Sequence, residues 1–277
     1  MLVPLMNATF MRRITPPPAS VTTRNHRAVP ALLVLLLCAG CATPGPLHVY
    51  TAAPTPSAPL RDLDPNTAAV SEVPSFVAAD ESLLGFAYDP FTDHFFLRLA
   101  PGDRFRVVDR PARAIKRDFT IPALALSPTT AGGDLALRPV DGHVFAAHPT
   151  QPAVVEFNRF GQVIRTLPLA TLTAPPSALA FDTARDRLLA LSGGDLARIT
   201  VHDRSGQRLA AFALDRAVTL TALAYDSAQR EVYAPLARET AVGVFSDQGR
   251  LLRTLPLPPA APPPFLDVGP RSFLRLF

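Results

Sequence analysis

The chain contains no tryptophan, only four tyrosines, and only two cysteines, Cys38 and Cys41. Beyond residue 41 there is no thiol, which excludes a disulfide framework or a cysteine-based metal site from the bulk of the protein. Long apolar runs are also missing: the run at residues 28–40, AVPALLVLLLCAG, has 13 residues, against the roughly 20 of a bilayer-spanning helix. Glycine is scarce, 14 residues against 31 prolines; so many prolines break regular structure often and exclude long helices. GxSxG, Walker, GxGxxG and HExxH motifs are absent, so those chemistries have no local signature. Residues 1–40 hold no acidic side chain.

That last absence decides what the charge means. The whole chain is formally +4 with a pI near 9.6, which alone would suggest nucleic acid. The excess is Arg12, Arg13, Arg24 and Arg27, and after residue 40 there are 23 basic and 23 acidic side chains. No basic stripe remains to displace counterions from phosphates, so nucleic-acid binding is not expected.

Arginines, a short apolar core and small residues in succession read as a signal peptide over residues 1–40. The junction CAGC, with Ala39 and Gly40 before Cys41, resembles the lipobox of bacterial lipoproteins. The resemblance implies diacylation of Cys41, which becomes the mature N-terminus and anchors the chain in a membrane. Cys38 departs from the pattern, which usually has leucine there. Ala42 instead of aspartate after the cysteine implies, by the same resemblance, the outer membrane, facing the periplasm. Ordinary cleavage after Ala42, releasing a soluble periplasmic protein, is the alternative, and Met11 could be the start.

The mature chain has 237 residues after position 40, enough for one well-buried core. Residues 41–80 are rich in Ala, Pro, Ser and Thr and read as a tether. Within them, an apolar stretch at residues 47–50 could instead supply a strand that completes the last blade of a ring; the prolines that follow favour the tether.

Residues 81–277 carry an internal repeat. FAYDPFTDHFFL from Phe86, LALRPVDGHVFA from Leu135, LAFDTARDRLLA from Leu179 and LAYDSAQREVYA from Leu223 align without gaps, and FLDVGPRSFL from Phe265 is a fifth copy. Asp89, Arg138, Asp182, Asp226 and Asp267 then share one position, at spacings of 49, 44, 44 and 41. Each stretch predicts strand, turn and strand. A second pair follows in the first four copies, with Gly161, Gly206 and Gly249 at one turn position and Ala112 in their place in the first copy. About 44 residues and four short strands is the content of a propeller blade. Ala87, Ala136, Ala180 and Ala224 lie two residues before the Asp position, so a small residue faces one side of the first strand and a large one the other. Phe265 breaks this pattern.

These residues resemble NHL-type and YVTN-type β-propeller repeats. The fold expected is all-β, a small β-propeller of about five four-stranded blades, closed by N- and C-terminal strands on the second reading of residues 41–80. The resemblance covers residues 83–277 and bears on function only by analogy.

The recurring aspartates could converge on a cation, but aspartate at a strand end is a turn residue bonding local N–H groups, and Arg138 replaces it once. The turn reading is preferred, and no metal or cofactor is expected. His94 and His143, at one position of two repeats, read as exposed turn residues; His48, His148 and His202 form no metal-ligand pair. Gly193-Gly194-Asp195 reads as a hairpin connection. The expected function is a non-catalytic cell-envelope lipoprotein that binds a protein, an envelope polymer or a small envelope ligand through the links between hairpins, which carry Asp103, Gln151, Asp195, Arg238 and Glu239. The alternative is a metal-dependent, lactonase-like hydrolase, for which Asp134, Ser177 and Thr221 are the nearest polar residues to a channel.

Overall fold

Short apolar-polar alternations separated by turn residues build strands and little else. A computed structural model describes residues 45–56, 58–102, 104–124, 133–193, 197–257 and 265–271. Earliest in the chain come β1 (Leu47–Ala52), β2 (Leu60–Leu63) and β3 (Val70–Val73). Four blades follow in order. The first is β4 (Ser82–Asp89), β5 (His94–Ala100), β6 (Arg104–Asp109) and β7 (Ala114–Thr120). The second is β8 (Leu135–Arg138), β9 (His143–Ala147), β10 (Ala153–Phe157) and β11 (Val163–Pro168). The third is β12 (Ala178–Asp182), β13 (Arg187–Ser192), β14 (Arg198–His202) and β15 (Arg208–Ala213). The fourth is β16 (Ala224–Asp226), β17 (Glu231–Pro235), β18 (Ala241–Ser246) and β19 (Leu251–Pro256), and β20 (Phe265–Pro270) ends the series. Each blade is an antiparallel sheet of four.

The fifth sheet has the order β20-β1-β2-β3. β20 pairs with β1 over six residues, from Leu47 opposite Pro270 to Ala52 opposite Phe265. The strands β4, β8, β12, β16 and β20 touch one another in that cyclic order, and β20 returns to β4. The fold is a closed five-bladed β-propeller. The stretch read as a tether therefore supplies three strands, and Val49, Tyr50, Leu60 and Leu63 are buried in the core. Its prolines fall between strands or next to them, where no ladder donor is lost.

The cross-strand register puts one row of side chains through every blade: Ala87–Phe96–Val107–Arg117, Ala136–Phe145–Glu156–Arg165, Ala180–Leu189–Val201–Ala210 and Ala224–Tyr233–Val244–Arg253. In the closing blade the row is Asp267–Tyr50–Asp62–Ser71. This corrects the sequence alignment of the fifth copy by two residues. Asp267 stands where the other copies have alanine, and Gly269 stands where they have Asp89, Arg138, Asp182 and Asp226. Leu266-Asp267-Val268-Gly269-Pro270 thus matches Leu135-Ala136-Leu137-Arg138-Pro139, and the apparent break at Phe265 disappears. Nor is the fifth copy a hairpin in itself: the partner of β20 is β1, from the other end of the chain.

Alanine as the first member of the row in four blades lets their inner strands crowd round the axis, since side chains alternate and the large neighbours Tyr88, Leu137 and Phe181 go to the opposite side. All of these are buried. In each complete blade the third strand shifts register just before its turn. Gly161, Gly206 and Gly249 hold φ of 84°, 85° and 88° in three of those turns, the left-handed region where glycine carries no steric cost. In the first blade the left-handed residue is Arg113, φ 52°, one beyond the expected Ala112, because that turn is one residue longer: Val108 pairs with Ile115, whereas Phe157 pairs with Val163, His202 with Arg208 and Phe245 with Leu251.

Candidate functional site

Three regions could carry function: the axis, the links between hairpins, and the turns at the opposite strand ends. At the axis, the inner edge of each first strand would leave backbone N–H groups unpaired. Two carboxyl groups meet some of them. Asp134 Oδ2 accepts from Leu179 N at 3.0 Å, and Asp267 Oδ2 accepts from Tyr88 N at 2.7 Å. Each bond crosses from one blade to another. Burial pushes the Asp267 carboxyl up to about 7, against the opposing pull of the Tyr88 and Val268 N–H groups. Burial likewise pushes Asp134 well above the ordinary carboxylate range, with Asp267 adding to the shift. Asp134 Oδ1 has no hydrogen-bond partner among the described residues. Sequence reasoning named Asp134 but missed Asp267 at the axis, because the misaligned fifth copy placed it in a turn. Among the described residues no three His, Cys, Asp or Glu side chains gather to hold a metal ion.

The other recurring aspartates serve turns. Asp89 Oδ1 accepts from Phe91 N at 3.0 Å, Asp182 Oδ1 from Ala184 N at 3.1 Å, and Asp226 Oδ1 from Ala228 N at 2.9 Å. The histidines differ from expectation. His94 and His143 open the second strands, half-buried rather than exposed, and His143 Nδ1 lies 2.7 Å from the buried Glu156. His48, at the same position of the closing blade, is paired with buried Asp62 at 2.6 Å. His202 is buried between the Gly206 carbonyl and the Thr200 hydroxyl.

Of the link residues, Gln151, Arg238 and Glu239 are exposed. Gln151 lies in the second blade and the other two in the fourth, so the third blade separates them. The Gln151 N–H donates to His148 Nδ1 at 3.2 Å, and its carbonyl accepts from Ala153 N at 2.7 Å, which closes a tight link. Cys41, Asp103 and Asp195 lie outside the described residues.

The turns at the other strand ends hold what the sequence did not single out. Phe91, Val140 and Phe160 are exposed by 71, 76 and 70%, and Arg159, next to Phe160 in sequence, ties together the turns that carry Phe91 and Val140. Its Nε donates to buried Asp89 at 2.6 Å, its Nη2 to the Pro139 carbonyl at 3.1 Å, and its guanidinium lies 5.4 Å from the Phe91 ring. Beside it, Arg117 donates to the Arg159 carbonyl at 2.5 Å and lies 4.9 Å from the Phe160 ring. Burial, and then the neighbouring Arg159, pull the Arg117 guanidinium below the usual arginine range. The patch spans the first and second blades. Its signal in the sequence was Phe91 and Val140 at a turn position where the other copies have Ala184 and Ala228, and Phe160 before the turn glycine where they have Ser205 and Gln248.

No family model matches the chain, and no curated protein matches it in sequence. A chain in the crystal structure of a nidogen/laminin complex superposes with a TM-score of 0.56 at 12% identity, over 80% of this chain and 98% of that one. A chain of Kuenenia stuttgartiensis hydrazine synthase superposes with a TM-score of 0.42 at 11% identity, over 62% of this chain and 48% of that one. At such identities the first likeness speaks to fold alone, and it agrees with the five-bladed β-propeller built above.

Proposed function

We propose that this chain is a non-catalytic lipoprotein of the cell envelope, anchored through Cys41, whose propeller binds a macromolecular partner with the Phe91–Val140–Phe160 patch. The carrying observation is the exposure of those three large apolar side chains in one arginine-linked cluster. Contiguous apolar patches rimmed by polar groups mark interaction sites on soluble proteins, and aromatic residues with arginine are enriched in binding hot spots. A rigid ring suits this use, since its turns are held by sheets rather than by their own contacts. The propeller chain aligned above comes from a complex of two proteins, nidogen and laminin, an analogy of use. The lipid anchor rests on the CAGC junction.

Capture from detergent-solubilised envelopes tests the reading. A partner retained by the wild-type chain should be lost with Phe91→Ser/Phe160→Ser and kept with Gln151→Ala/Glu239→Ala. The reverse outcome moves the binding surface to the links, and retention by both variants rejects the patch. Fatty-acid labelling that persists in Cys41→Ala rejects the anchor.

A further inference from the structure

We propose that a cleft between the third and fourth blades binds a small carboxylic acid with a compact apolar body. The argument starts from the cross-strand row. Its second member is aromatic in every blade but the third, where it is Leu189, and its fourth is Arg117, Arg165 or Arg253 in the other complete blades but Ala210 here. Two truncations on one side of one sheet leave space. That space is a cavity of about 160 Å³ floored by Leu189, Val201, Ala210 and Phe212, with Tyr225 of the fourth blade as its wall. An apolar cavity of about 150 Å³ accommodates a benzene ring, so the volume fits one ring or a branched aliphatic group.

The same loss leaves a charge over. The residue that opens the second strand has a carboxylate or arginine facing it in the other blades: His48 faces Asp62 at 2.6 Å, His94 faces Asp109 at 3.9 Å, His143 faces Glu156 at 2.7 Å, and Glu231 pairs with Arg253 at 2.6 Å. In the third blade this residue is Arg187, and the position of Glu156 and Asp62 is taken by Val201. Arg187 lines the cavity, with no carboxylate partner among the described residues. The other two arginines of the lining are matched: Arg185 with Asp182 at 3.1 Å, and Arg230 with Asp247 at 3.1 Å. Three guanidinium groups against two carboxylates leave a surplus of one positive charge beside an apolar floor. A monoanion satisfies the charge and its hydrocarbon part fills the volume; a carboxylate suits the planar fork of Arg187.

Phenylacetate, titrated into the full chain by calorimetry, is the probe. Saturable binding at about millimolar Kd or tighter is expected, weakened about tenfold or more by Arg187→Gln. Ala210→Leu, at an exposed position, should abolish binding by filling the space without changing the melting temperature. Phenylacetamide, the neutral isostere, should bind at least about tenfold more weakly. N-acetyl-phenylalanine separates two sources of the same chemistry: binding weaker than phenylacetate keeps the ligand a free small acid, and tighter binding makes it the C-terminal residue of a peptide. Equal affinity for acid and amide, binding that survives Ala210→Leu, or no saturable binding of phenylacetate each overturns the proposal.

Discussion

Asp267 accepts a hydrogen bond from the backbone N–H of Tyr88 at 2.7 Å, across 179 positions of sequence. The bond joins the last strand of the chain to the first complete blade. On the outer side of β20, β1 adds its six-residue ladder, and Tyr50 packs against Tyr88 and Phe95 with ring centroids 4.4 and 5.2 Å apart. β1–β3 and β20, from opposite parts of the sequence, therefore belong to one blade, and removing either frees edges that folded proteins cover.

Deleting residues 43–63 should then be as damaging as deleting residues 265–277. Val49, Tyr50, Leu60 and Leu63 are all buried, and each is worth about 1.5–3 kcal/mol, together a large part of a domain's net stability of about 5–15 kcal/mol. Neither deletion should retain a cooperative thermal transition. Tyr50→Ala is the milder version, with an expected loss of about 3–5 kcal/mol by urea unfolding. An unchanged midpoint after deletion of residues 43–63 would return that segment to the role of a tether.

The four complete copies were legible because the repeat writes each strand pair with the same apolar spacing. The closing blade was not, since its residues come from two distant stretches and only the register reveals that His48-Val49-Tyr50 matches His143-Val144-Phe145. The axial carboxyl was hidden for the same reason: aspartate reads as a turn former wherever it follows two apolar residues, and Asp267 did. The apolar patch was invisible because the turns of Phe91, Val140 and Phe160 are tied together by the bonds of Arg159 to Asp89 and the Pro139 carbonyl, the first of which crosses between blades. The cavity, too, needed the row of paired residues, since Ala210 is unremarkable until Arg165 and Arg253 are known to share its place.

The raised Asp267 carboxyl gives a pH dependence with a definite sign. Unfolded, the group titrates near its ordinary value of about 4; folded, at about 7. Between these the folded state binds more protons, so ionisation costs folding free energy as pH rises, a cost absent below about 4 and complete above about 7. Asp267→Asn lacks the titration. The stability of the variant relative to the wild type should rise between pH 4 and 7 by up to about 4 kcal/mol, then level off. Urea unfolding across that range measures it, and a difference that does not vary with pH would show that burial does not hold the proton.

The turn glycines make the last prediction, because they separate conformational strain from steric collision. Gly249 and Gly102 have nearly the same left-handed backbone, φ 88° and 86°. Around Gly102 an added Cβ would meet nothing within 4 Å, whereas at Gly249 it would lie 2.0 Å from the Ala213 carbonyl oxygen of the neighbouring blade. That carbonyl belongs to backbone at the end of β15 and cannot swing aside as a side chain would. Just beyond it, Asp215 N donates to the Gly249 carbonyl at 2.9 Å, so the two blades are held together where the collision would fall. Gly102→Ala should cost only the left-handed penalty of about 1–2 kcal/mol. Gly249→Ala should cost that and the separation of two packed blades, in total above about 3 kcal/mol and at the severe end for single substitutions. Gly206→Ala should behave alike, since its Cβ would lie 2.1 Å from the Pro168 carbonyl oxygen. Equal losses for Gly102→Ala and Gly249→Ala in chemical denaturation would mean that the turns of the third strands do not press on the preceding blade, and that the ring is held by its inner strands alone.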